Sequence, residues 1–156
     1  TDGRQVLVWT VFDEESRIIA EQLSQDGRHG ATSLGVLDGS MSEGARAAVL
    51  ERFRRGALDV LVSKAQLLGY GMNFQFCRSM VFSGFDDSFE RMYQAIRRCY
   101  RFGQTDVVRV HVPYVQELEG MIFDNVKAKQ AQFEEDTRIQ EENYRTAMRD
   151  KLEAIA

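Results

Sequence analysis

A chain of 156 residues with 44% hydrophobic and 28% charged residues has the makeup of one globular domain, which excludes disorder as a description of the whole. No apolar run approaches the ~18 residues that span a bilayer, and the polar start Thr1–Gln5 does not read as a secretory signal, so no membrane partner is expected. The net charge of −4 is uneven: 14 basic and 14 acidic residues precede Tyr114, while 6 basic and 10 acidic residues follow from it.

Val6 to Phe12 is β-branched and aromatic and predicts a buried strand. Asp13-Glu14-Glu15 opens a helix to about Gln25, acids in the first turn suiting the helix dipole. Gly27, Gly30 and Gly35 mark a loop around a short strand, Leu34 to Leu37. Ser40 and Glu43 have capping-box spacing before a helix that runs to about Arg55. Leu58 to Val62 predicts a third strand, and Ser63 to Gln75 a loop with Gly69 and Gly71. Ser79 to Phe82 is a fourth strand, and Phe85-Asp86-Asp87-Ser88 leads into a helix to about Phe102, ended by Gly103. Val107 to Val112 is a fifth, closed by Pro113. Strands alternating with helices at this spacing predict an α/β fold with a parallel sheet and helices on both faces. Beyond Gln116 apolar residues recur more sparsely among many charges, which predicts one or two long helices.

Cys77 and Cys99 are too few for a disulfide framework and lie far from His29 and His111, so neither a metal cluster nor a staple is expected. They read as two partly buried thiols in a reducing compartment.

The most informative stretch is Tyr93 to Gln104, YQAIRRCYRFGQ. On a helix, Gln94, Arg98 and Arg101 fall on one face. Guanidiniums are rigid, always charged and bidentate, and suit a phosphate chain. Three arginines within five residues repel one another, and a bound anion offsets that. The plainer alternative is a solvated basic face, for which Glu90 is the one nearby acid on the helix.

QAIRRCYRFGQ closely resembles the last conserved motif of superfamily 2 helicases, in the form found in Swi/Snf-type DNA translocases and their bacterial and phage relatives. LDGS at Leu37–Ser40 with the following helix resembles the family's DGS segment. Ser63-Lys64 and GYGMNFQ (Gly69–Gln75) resemble motif V, with Ala65 to Leu68 departing from the usual glycine-rich form. The resemblance covers about residues 5 to 113.

That resemblance implies a three-layer RecA-like lobe over residues 1–113, the second of a two-lobe motor, with a charged helical extension over 114–156. It implies ATP and Mg2+ held mainly by a first, N-terminal lobe, with Arg98 and Arg101 as catalytic arginines and Arg101 as the arginine finger. Gln94 would be a supporting nucleotide contact. Gly69, Gly71 and Asn73 would shape the segment that couples nucleotide to nucleic acid. Ser63 and Lys64 are plausible contacts to a DNA backbone. A cytoplasmic, bacterial or phage-encoded protein working on DNA is expected.

No phosphate cradle G-x-x-x-x-G-K-[ST] is present, since none of Lys64, Lys127, Lys129 and Lys151 precedes Ser or Thr. The chain alone is therefore expected to be inactive as an ATPase. Val8 to Ser16 imitates a Walker B strand, but the acids Asp13 to Glu15 serve equally as a helix start. The competing reading is a non-catalytic RecA-like module that assembles, or self-associates, through its C-terminal helix.

Overall fold

The computed structural model describes residues 5–25, 33–68, 72–84 and 88–153. Five parallel strands, β1 (Val6–Thr10), β2 (Leu34–Leu37), β3 (Val60–Lys64), β4 (Ser79–Phe82) and β5 (Arg109–His111), form one sheet in the order β2-β3-β1-β4-β5. Helices α1 (Asp13–Gln25), α2 (Glu43–Arg54) and α3 (Phe89–Ile96) lie in the connections, and α4 (Gln116–Glu153) follows the sheet. A 3-10 turn, Ala65–Leu68, extends β3.

The two faces follow from strand alternation. Leu7 and Trp9 of β1, Leu61 of β3 and Met80 and Phe82 of β4 face Phe53 of α2 and Ala95 of α3 in the larger core cluster. Val8, Val60 and Val62 face the other way and meet Ile19 and Leu23 of α1. Helices on both faces give the three-layer α/β arrangement, and the fold is RecA-like.

The element ends differ from the sequence expectation in ways that matter. β1 stops at Thr10, because Glu15 reaches back to accept the main-chain N–H groups of Val11 (2.8 Å) and Phe12 (3.3 Å) and turns the chain into α1. β3 begins at Val60 and runs through Lys64: Asp59 is held outside the ladder by Ser33, while Ser63 and Lys64 pair with Trp9 and Thr10. The α2 cap is Ser42, whose hydroxyl accepts from Ala45 N–H, and not Ser40. Ser40 instead donates its N–H to the Asp38 carboxylate at 2.6 Å. β5 is shorter than expected.

The chain divides into two compact units, residues 1–114 and 115–156. The second holds α4, a single helix of 38 residues, about 57 Å long at 1.5 Å per residue. Arg138 bonds Glu135 and Glu142 there, and Gln132 bonds Asp136, all on exposed faces. Among the described residues no helix is long and apolar enough to cross a membrane.

Candidate functional site

α3 is capped by Ser88 and ends at Ile96, with Arg97 as its C-cap. The expected helix to Phe102 is therefore too long, and the shared-face argument for Gln94, Arg98 and Arg101 does not hold in its α-helical form. The physical reason is in the main chain. Arg98 and Cys99 donate to carbonyls three residues back, and the Arg98 carbonyl is taken by the N–H of Phe74 at 2.9 Å. The fully buried Cys99 then pins the chain to the core. Gln94 remains on the helix, exposed, its amide donating to Glu90 at 3.0 Å.

Arg98 and Arg101 therefore project from a loop. Arg98 is half-buried and Arg101 exposed. Burial holds the Arg98 guanidinium below its ordinary value, and the charge of Arg101 adds to this, so the two cations sit close enough to repel. Phe102, next in the chain, is fully exposed. Gly103 closes the loop at φ +86°, the left-handed region that favours glycine.

The loop is tied to the segment before β4. Besides the Phe74–Arg98 bond, the Gln75 amide donates to the Phe102 carbonyl at 3.2 Å, and the Gln104 amide donates to the Gln75 carbonyl at 2.8 Å. Gln104 also donates to the Cys99 carbonyl at 3.3 Å and accepts from Asp106 N–H. Asn73 is exposed, and its carboxamide oxygen accepts the Gln75 N–H at 2.9 Å, turning the chain into this junction. Gly69 and Gly71 lie outside the described residues. Gln75 and Gln104 had no role assigned from sequence; the available signal was that both motif-like segments end in glutamine.

Cys77 and Cys99 meet at the base of the junction, both free thiols and both fully buried rather than partly so. Cys77 donates to the Gln5 and Ser79 carbonyls at 3.3 and 3.2 Å. The Cys99 thiol is raised by its contact with Cys77 and by burial. A buried thiol with a raised value is a packing group rather than a nucleophile.

The carboxyl ends of β1, β2 and β3 gather a second set of groups. Ser63 lies inside β3 without exposed surface, its hydroxyl donating to the Lys64 carbonyl, so it is not presented to a ligand as the strand-end expectation had it. Lys64 ends the strand, and its ammonium pairs with Asp13 at 2.6 Å. Asp38, at the end of β2, has its carboxyl held below the ordinary range by Ser40 hydrogen bonds, with a smaller contribution from Lys64. Among the described residues no three His, Cys, Asp or Glu side chains gather as a metal site requires.

The family model described as the helicase conserved C-terminal domain matches residues 1–103. The chain belongs to that family. It is a superfamily 2 helicase C-terminal lobe. A crystal structure of the C-terminal part of the Fun30 ATPase domain resembles this helicase lobe with a TM-score of 0.66 over 78% of the present chain, at 23% identity. At that identity the likeness is one of fold. The present chain spans 38% of that one. No curated protein matches.

Proposed function

We propose that this helicase lobe is the second motor lobe of an ATP-dependent DNA helicase or translocase. Residues 1–113 form the lobe and 114–156 a charged helical extension. An N-terminal RecA-like lobe of the same protein holds ATP and Mg2+, and this lobe closes on it. Arg98 and Arg101 then face the γ-phosphate, with Arg101 as the finger that stabilises charge on the transferring phosphoryl group. Gln94 supports the nucleotide from α3, while Gly69, Gly71 and Asn73 shape the segment between nucleotide and DNA. Lys64 contacts the DNA backbone independently of sequence, and Ser63 positions it from inside the sheet. The working compartment is the bacterial or phage-infected cytoplasm.

The observation that carries the reading is the arginine loop. Two mutually repelling guanidiniums stand on a backbone tied by three hydrogen bonds to the motif V-like segment. Such a pair, fixed before any ligand arrives, is preorganised for a concentrated anion such as a triphosphate. The test is Arg101→Ala in the full two-lobe protein. ATP binding is expected to stay nearly intact while DNA-stimulated turnover falls by about 10³-fold or more. Unchanged turnover removes Arg101 from the role. The 156-residue chain alone is expected to hydrolyse no ATP, and Arg101-dependent turnover by it would contradict the two-lobe reading.

One observation favours a second reading, a non-catalytic module that assembles through α4. That helix forms its own compact unit and exposes Phe133, Tyr144 and Met148. Sedimentation velocity on the chain separates the two, since concentration-dependent dimers lost on truncation at Tyr114 are expected only from the module.

A further inference from the structure

We infer that Phe102 is a base-binding residue, whose ring stacks on the adenine of the ATP that Arg101 meets at the phosphates. The inference deepens the motor reading and rests on the proposed role of Arg101.

Phe102 is the most exposed large apolar side chain among the described residues, and nothing there covers either face of its ring. Its main chain is nevertheless held. The Phe102 carbonyl accepts the Gln75 amide at 3.2 Å, and the Arg101 carbonyl before it accepts the Gln104 N–H at 3.0 Å. Gly103 after it takes the left-handed turn. A fixed backbone that keeps an apolar ring in water presents the ring rather than packing it. Fixing the backbone before a ligand arrives lowers the entropy lost on binding.

The neighbours decide what the ring meets. The exposed guanidinium of Arg101 comes directly before it and carries only donors. Gln75 and Gln104 spend their amides on carbonyls of this junction. The other exposed ring of the loop, Tyr100, ends in a hydroxyl. An apolar protein partner calls for a contiguous apolar patch, and one phenyl ring among a cation and amides does not make one. A nucleoside triphosphate offers what the Arg101–Phe102 pair takes: an anionic chain for the guanidinium and, at its other end, a flat π-face for the ring. Consecutive side chains diverge, so one loop can serve both ends. Stacking reads the face of a base and not its edge. The contact therefore favours a nucleotide over bare phosphates and discriminates little between purines.

The test uses the two-lobe protein with duplex DNA and Mg2+ present. Calorimetry gives its affinity for a non-hydrolysable ATP analogue and for inorganic tripolyphosphate, which keeps the phosphates and lacks the base. Phe102→Ser is expected to weaken the analogue by about tenfold, as for loss of one base–aromatic stack, and to leave tripolyphosphate affinity where it was. Phe102→Tyr is expected to restore the analogue, whereas Phe102→Leu, apolar without a flat face, is not. Folding does not use this exposed side chain, so all three variants are expected to keep the parent's urea midpoint. Restoration by Leu, or parallel losses for the analogue and tripolyphosphate, overturns the base contact in favour of packing on the first lobe. An analogue affinity indifferent to Phe102, in a protein whose turnover Arg101→Ala abolishes, overturns the base contact and leaves the motor reading standing. Turnover indifferent to Arg101, or a two-lobe protein that binds neither compound, removes the reading on which the contact rests.

Discussion

The side-chain amide of Gln104 donates to the main-chain carbonyl of Gln75 across 2.8 Å, and the side chain of Gln75 donates in turn to the carbonyl of Phe102 at 3.2 Å. The two glutamines close a ring between segments 29 residues apart in sequence. The ring matters because the loop it holds has no apolar anchor at its tip: Arg101 and Phe102 are exposed, and only Cys99 is buried. Hydrogen bonds therefore set where the two guanidiniums stand.

Gln104→Ala removes both amide donors and the acceptor for Asp106 N–H. The carbonyls of Gln75 and Cys99 lose a partner in a partly buried place. A loss of ~1–3 kcal/mol is expected, from the cost of unsatisfied polar groups. Urea unfolding of the variant measures it. Phe102→Ser, at a fully exposed side chain, is the control and is expected to change stability by no more than about 0.5 kcal/mol. Equal stability of the two variants would show that the ring does not hold the loop.

The layer order of the molecule was legible because the strands are short apolar runs and α1 and α2 begin with recognisable acid and hydroxyl signals. The end of α3 was not. YQAIRRCYRF has helical composition throughout, and the stop at Ile96 comes from tertiary bonds: the Arg98 carbonyl taken by Phe74 and the burial of Cys99 against Cys77. Propensity carries no trace of either. The same holds at β3, where Ser63 and Lys64 read as a loop start by residue type and became strand by pairing with Trp9 and Thr10. The arginines were found by residue type, and their loop setting by structure alone.

Gly103 has φ +86°, while a Cβ built there meets only the Gln75 amide at 3.5 Å, an ordinary contact. Space is therefore available, and the cost of Gly103→Ala is backbone strain alone. That is expected to be about 1–2 kcal/mol, with Asn in its place costing less because its side chain tolerates the left-handed region. Thermal melts of the two variants give the comparison. An Ala variant as stable as the parent would mean the loop relaxes to another conformation, and the Gln75–Phe102 bond would go with it.

Two other glycines are expected to respond with opposite signs. Gly44, in the first turn of α2, has nothing within 4 Å of a built Cβ, so Gly44→Ala only restricts the unfolded chain. It is expected to stabilise by ~0.4–1 kcal/mol. At Gly35 in β2 the Cβ would stand 2.7 Å from Leu58 Cδ1 and 3.0 Å from Val49 Cγ1, with Leu61 at 3.3 Å. These side chains belong to a close-packed core. Gly35→Ala is expected to destabilise by about 1–3 kcal/mol, the usual range for overpacking. Denaturant midpoints at constant slope are the measurement.

Glu51 supplies the pH test. It bonds Arg54 through both carboxylate oxygens, at 2.7 and 2.8 Å, and Arg55 at 2.5 Å, on the exposed side of the C-terminal turns of α2. The Arg54 bonds, followed by Arg55, lower its carboxyl from 4.5 to about 2. A carboxyl whose value falls on folding favours the folded state above its unfolded value. The contribution is whole above about pH 4.5 and fades as pH drops through about 2. All three side chains are exposed, so the effect on stability is small and salt weakens it. The direct readout is carboxyl-carbon NMR. Glu51 is expected to titrate near 2 at low salt. Arg54→Ala, which removes the largest cause, is expected to move it well back toward 4.5, and Arg55→Ala to move it less. Titration near 4.5 in the parent chain would mean that the Arg54–Glu51–Arg55 cluster does not persist in solution.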